Sequence, residues 1–151
     1  MTQTETIYTG IPGGPELIAW FDRVPDFHDA EIVSLTINRR TPSILRLHGW
    51  TMRLEERPPR RIILDNHAVV TFTLEDIIDL QLNGFSHQNV IYGLALTRAP
   101  DRLDRKPFYS MPSSPDDYEI QIEPCYGLGG LIRCRKISVS FIPGEPEDAR
   151  A

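Results

Sequence analysis

A chain of 151 residues with 40% hydrophobic and 25% charged side chains has the size and balance of one ordinary soluble globular domain, able to bury roughly 70% of the surface its unfolded form exposes. Its formal net charge of -5 argues against a dedicated nucleic-acid binder, whose affinity rests on neutralising phosphates, and weakly favours approach to a basic partner. No apolar run reaches the roughly 20 residues of a membrane helix, and Met1 to Thr6 lack the basic start and apolar core of a signal peptide, so the expected location is the cytoplasm, with no membrane association.

Residues 1–14 read as a flexible N-terminal tail, polar at first and closing on Gly10-Ile11-Pro12-Gly13-Gly14. A single β-rich domain is expected over 15–143, with a second flexible tail over 144–151. Pro15 suits the first position of a helix. Leu17, Trp20, Phe21 and Val24 then recur at i, i+3, i+4 and i+7, an amphipathic stripe that Pro25 ends. Trp20 and Phe21 are expected to anchor a core. Next comes Pro25-Asp26-Phe27-His28-Asp29-Ala30-Glu31, which packs Asp26, His28, Asp29 and Glu31 immediately before a strand.

From there the period changes to two. Val33, Leu35 and Ile37 alternate with polar residues, and Leu45 and Leu47 open a second strand running to about Leu54. Glu55 to Arg60 is too proline-rich to be anything but a connection. Ile62 to Leu64 form a strand that Asp65-Asn66 could turn, before Val70, Phe72 and Leu74 resume the alternation. Residues 74–85 fit either a helical stripe or a strand, and the β segments on both sides favour the strand. Val90, Tyr92, Leu94 and Leu96 share one face of a later strand; Tyr118, Ile120 and Ile122 mark another; Ile137, Val139 and Phe141 mark the last. The predicted class is mainly β (α+β): an antiparallel sheet sandwich or curled sheet with one short N-terminal helix.

The connection between Arg98 and Tyr118 is long, proline-rich and carries Phe108 and Tyr109. Disorder or simple surface packing is the expectation for it. Arg102, Arg105 and Lys106 within it, like Arg57, Arg60 and Arg61 earlier, read as solvated loop charge. Cys125 and Cys134 flank a glycine-rich turn and could face one another across a hairpin, yet a reducing cytosol favours two free, partly buried thiols.

Two constellations bear on chemistry. His28, Asp29 and Glu31 are the candidate binding residues, since a carboxylate can orient an imidazole for acid–base work. On an extended segment, however, Asp29 and Glu31 share a face that His28 leaves, and Asp26 and Asp29 serve equally well as caps while Phe27 plugs the core. The histidines His28, His48, His67 and His87 recur about every twenty residues, so a meander could gather some at one end of a sheet, where a metal could sit. Scattered placement accounts for them as well, so neither a metal site nor any cofactor is expected. There is no dinucleotide fingerprint, nucleophile elbow or phosphate loop, so no catalytic residue is assigned.

Trp20-Phe21, Phe27-His28-Asp29-Ala30-Glu31-Ile32, Gln88-Asn89-Val90-Ile91 and Ile132-Arg133-Cys134 together resemble an immunity protein group of bacterial polymorphic toxin systems, over about residues 15–142. The resemblance implies a mainly β fold, a toxin-like protein partner, and neither catalytic residues nor cofactor. The expected function is therefore a bacterial protein-interaction domain. A small-molecule-binding or hydrolytic domain using His28, Asp29 and Glu31 is the alternative, and a homo-oligomer is the third possibility.

Overall fold

The computed structural model describes residues 6–147. Six strands follow the period-two runs: β1 (Glu31–Thr36), β2 (Ser43–Leu54), β3 (Ile62–Asn83), β4 (Val90–Arg98), β5 (Tyr118–Tyr126) and β6 (Gly129–Pro143). Every pairing is antiparallel, and the order β1-β2-β3-β6-β5-β4 closes into a barrel. The mainly β class with one short helix is therefore what the chain adopts, as one sheet curled until its ends meet.

The interior is filled by side chains. Leu45 and Leu47 of β2, Val70, Phe72 and Leu74 of β3 and Ile120 of β5 have no exposed surface, as a narrow barrel requires. The helix α1 (Gly14–Phe21) ends sooner than Pro25 would force. Asp22 takes a left-handed conformation, φ 57°, and Val24, expected on the buried stripe, is exposed. Leu17 and Phe21 join the barrel core, while Trp20 packs on Phe141, ring centroids 5.6 Å apart.

Part of the segment expected to be a loose tail is instead built in. Ile7–Gly10 form a 3-10 turn that Thr6 caps, and Tyr8 and Ile11 are buried. Val139 N donates to Pro12 O at 2.9 Å. A Cβ on Gly13 would lie 1.6 Å from Val139 O, and its φ is 83°, so only glycine lets the chain pass this close. The expected tail residues 1–5 and 148–151 lie outside the described residues.

Bulges explain where the alternation misleads. In β1 the register shifts between Ile32 and Ser34, so Ile32 joins the core and Val33 is only half-buried. In β4 shifts lie on either side of Ile91. Ile91 and Leu94 both point inward, while Tyr92, expected beside Leu94, stands in solvent. One extra residue reverses the face of everything before it. β3 runs unbroken through Asp65-Asn66, where a turn was expected, and through residues 74–83, where the strand reading holds. Asn66 and Asp76 take left-handed conformations, φ 54° and 57°, close to two register shifts. Turn-type residues here bend a long strand instead of ending it.

Pairing of β2 with β1 stops at His48, and pairing of β3 with β6 stops at Ala68. Beyond those points Thr51–Leu54 and Ile62–Asp65 continue paired only with each other, a two-stranded arm leaving the barrel wall.

Candidate functional site

The segment preceding β1 closes the barrel. Asp29 N donates to Ile91 O at 2.8 Å, Leu94 N to Asp26 O at 2.8 Å, and Ile91 N to Ala30 O at 2.9 Å, so residues 26–30 serve as the missing length of strand beside β4. Phe27, in a left-handed conformation (φ 58°), drives its ring inward, edge-on to Phe21 and Phe72 at 6.1 and 5.9 Å. A turn at His28-Asp29 brings that pair together, His28 Nε2 to Asp29 Oδ1 at 3.6 Å, with both side chains nearly half exposed. His28 Nδ1 donates to Tyr92 O at 2.8 Å, and Asp26 Oδ1 accepts from His28 N. Glu31 is not joined to this pair; it lies opposite His48 across the β1–β2 register. The space beside Phe27 is about 10 Å³, room for about one water. None of His28, Asp29 and Glu31 borders that space.

The 99–117 connection is ordered and clamped. On the outer face of the barrel Arg133 of β6 lies in register between Asp79 of β3 and Glu119 of β5. Arg105 reaches down from the connection to grip Asp79 with two bonds of 2.8 and 2.7 Å, and Arg102 grips Glu119 at 2.7 and 2.9 Å. Arg133 donates to Asp117 (3.0 Å), Pro100 O (2.8 Å) and Tyr109 Oη (3.2 Å), and Asp117 also accepts from Arg135 at 2.8 Å. Asp79, Asp117, Glu119 and Arg133 are all buried. The Arg105 hydrogen bonds hold the Asp79 carboxyl below the usual carboxylate range against the opposing effect of burial. Arg102 and Arg105 are thus not the solvated charges expected from their loop. The signal available was the odd polar residue in each flanking strand: Asp79, Glu119 and Arg133 interrupt apolar runs at positions that an outer cover must neutralise.

A second polar cluster sits where the arm leaves the barrel. His48 faces outward between the inward-pointing Leu47 and the backbone of Gly49. The bulge at Asn66 brings His67 to it: His48 Nε2 and His67 Nδ1 are 2.9 Å apart and the rings stack at 5.1 Å. Trp50 packs on both, centroids 4.8 and 5.8 Å away. Glu145 follows the last pairs of β6, where Gly144 N donates to His67 O at 2.7 Å. One ligand atom from each of His48, His67 and Glu145 lies within 4.8 Å of the others. Burial, then the neighbouring His67, push the His48 pKa below its ordinary value of 6.5, and Glu145 pulls the other way. Two of the four evenly spaced histidines do therefore meet at one end of the sheet. His28 belongs to the β1–β4 closure instead. Sequence reasoning missed Glu145 because it fell in a segment read as tail.

The arm carries the third feature. Met52 is opposite Leu64, and Leu54 opposite Ile62, so all four share one face; they are 41, 43, 53 and 69% exposed respectively. The opposite face carries Thr51, Arg53 and Asp65 together with the half-buried Ile63, and Arg53 is paired to Asp65. An open groove of about 670 Å³ also runs between Arg39-Arg40 and Phe108-Met111, but its buried charge, Asp79, is already committed to Arg105.

Cys134 is buried, its thiol pushed up to about 12 by burial, and is paired in register with Tyr118. Cys125 is exposed near the far end of β5. Both are free, and the strands hold them too far apart to bridge. Among the described residues, no helix is long and apolar enough to cross a membrane.

No protein-family model, no curated protein and no solved structure matches this chain.

Proposed function

We propose that this protein is a binding module that takes a protein partner on the apolar face of the β2–β3 arm. The single observation that supports it is the pair of cross-strand contacts, Met52 with Leu64 and Leu54 with Ile62, standing in solvent on a projecting hairpin. An isolated two-stranded ribbon is marginal in water, and contiguous exposed aliphatic patches are uncommon on proteins that work alone. Covering these four side chains would stabilise both the arm and a complex. The barrel interior is filled and the barrel wall has no free edge, so neither an internal ligand nor strand addition to the wall offers a better account. The resemblance to an immunity protein group gives the partner a class: a toxin encoded alongside, neutralised by occlusion without catalysis.

The experiment is co-purification of the full chain with an inactivated toxin candidate from the neighbouring gene. A stable complex at micromolar concentration is expected. Leu54→Asp with Ile62→Asp should abolish it, with the melting temperature nearly unchanged because both residues are exposed. No complex, or a complex indifferent to that double variant, would sink the proposal. So would a concentration-dependent mass of the chain alone that the double variant abolishes, because the arm would then be covered by a second copy. A hydrolytic role for His28, Asp29 and Glu31 gains nothing from the geometry of that corner.

A further inference from the structure

We propose that His48, His67 and Glu145 form a binding site for a divalent transition-metal ion, Zn2+ in particular, at the root of the arm. This does not depend on the partner-binding reading. Two imidazole nitrogens and one carboxylate are a donor set that suits zinc, and three protein ligands leave a fourth position open for water or another group.

The geometry is close to what coordination needs. Zinc–nitrogen bonds of about 2.0–2.1 Å in a tetrahedral site put two ligand nitrogens about 3.3 Å apart, and here His48 Nε2 and His67 Nδ1 are separated by 2.9 Å. Small rotations of the two rings provide the difference. Glu145 offers a carboxylate oxygen within 4.8 Å of one ring nitrogen of each histidine, and its exposed side chain is free to swing inward. The nitrogens also face one another, so without a metal one of them must carry a proton for the pair to bond; a cation between them takes the lone pairs of both.

The surroundings keep His48 in the form that can ligate. Burial and the proximity of His67 disfavour the charged form of His48, leaving neutral imidazole, the form that ligates. Trp50 covers both rings and limits access of water from that side. The His67 position is obtained at the cost of a left-handed Asn66, a bulge that turns a strand residue toward its neighbour.

The three ligands come from β2, from β3 and from the chain just past β6. A bound ion would tie together three segments at the place where regular pairing of the wall gives out. It would fix the direction in which the arm leaves.

The test is calorimetric titration of the full, untagged, chelator-treated chain with Zn2+ alone, read alongside thermal melting and the visible spectrum with Co2+. One ion per chain is expected, with a melting temperature raised by about 5–10 °C at saturating metal and Co2+ bands of a low-coordinate site. His67→Gln and Glu145→Gln should each weaken binding at least about tenfold, whereas His28→Ala and His87→Ala should leave it intact. Because His48 is buried, His48→Ala could fail to fold; the half-buried His67 and exposed Glu145 carry the test without it. Absence of stoichiometric binding at high micromolar Zn2+ would overturn the proposal. Binding that survives both His67→Gln and Glu145→Gln would overturn it as well, as adventitious surface ligation.

Discussion

The clamped layer beneath the 99–117 connection and the histidine cluster at the root of the arm are both polar, and both lie outside the barrel wall. They differ in saturation. In the first, Asp79, Asp117 and Glu119 meet four guanidinium groups, and the donors of Arg133 are spread over a carboxylate, two carbonyls and a hydroxyl. Nothing there is left to offer a ligand. In the second, two groups of the same kind face one another, and the nearest carboxylate is exposed and unattached to either ring. Burial of polar groups therefore does not by itself mark a site. A network whose charges are all paired holds a structure together, and one whose ring nitrogens meet only each other has capacity to bind.

The sharpest way to break this contrast is to remove the centre of the saturated layer. Arg133→Met should lower unfolding stability by about 3–5 kcal/mol, because it leaves the buried Asp117 with Arg135 alone and removes the donors that hold Pro100 O and Tyr109, and should make the 99–117 connection susceptible to protease. A loss below about 1 kcal/mol in urea titration would mean that the layer is decoration.

A comparable loss is expected from Phe27→Ala, about 3–5 kcal/mol for an aromatic removed from a packed core. His28→Ala, one residue along, should stay within about 0.5 kcal/mol. If the order were reversed, the imidazole and not the phenyl ring would be what holds the barrel closed.

Acid separates the two polar regions by pH. The pKa of His48 is lower in the folded chain than in the unfolded one, so the unfolded state takes up protons first as the pH drops. Stability contributed there is intact above about pH 6.5 and declines below it, through the folded value of His48. Asp79 is also depressed, but from a lower reference of 3.8. Its contribution is intact above that pH and disappears as the pH falls through its folded value. Denaturation followed from pH 8 to pH 2 should show a shallow upper limb that His48→Gln removes and a lower limb that Arg105→Gln reduces. One limb only, near pH 4, would remove the distinction at the histidines.

Legibility followed the range of the interactions. The strands at 43–54, 90–98 and 129–143 could be read because alternation is local and one face of each is buried. The strand over 74–83 is legible for the same reason, although a helical stripe also fits its apolar residues. The bulges were not legible. Asp65-Asn66 looks like a turn in isolation, because the residues that tolerate left-handed backbone at a turn also tolerate it within a strand; only the continued pairing of β2 with β3 decides between the two. The inward role of Ile91 and the outward one of Tyr92 depend on the same kind of extra residue.

At the candidate sites the sequence carried the ingredients but not their meeting. It placed His28, Asp29 and Glu31 together because they are neighbours in the chain, and the fold sends Glu31 across to His48 while Phe27 takes the interior. It spaced His48 and His67 evenly, and only a bulge set against the β2 register brings their nitrogens to 2.9 Å. Glu145, and the arginines that seal Asp79 and Glu119, come from segments with no periodic signal at all. Composition and alternation determined a β-rich domain with a filled core, because burial of every second side chain is written residue by residue. Closure into a barrel, the clamping of the long connection and the gathering of the histidines were decided by tertiary structure, because each joins groups far apart in the chain whose pairing energy exists only once the strands are in register.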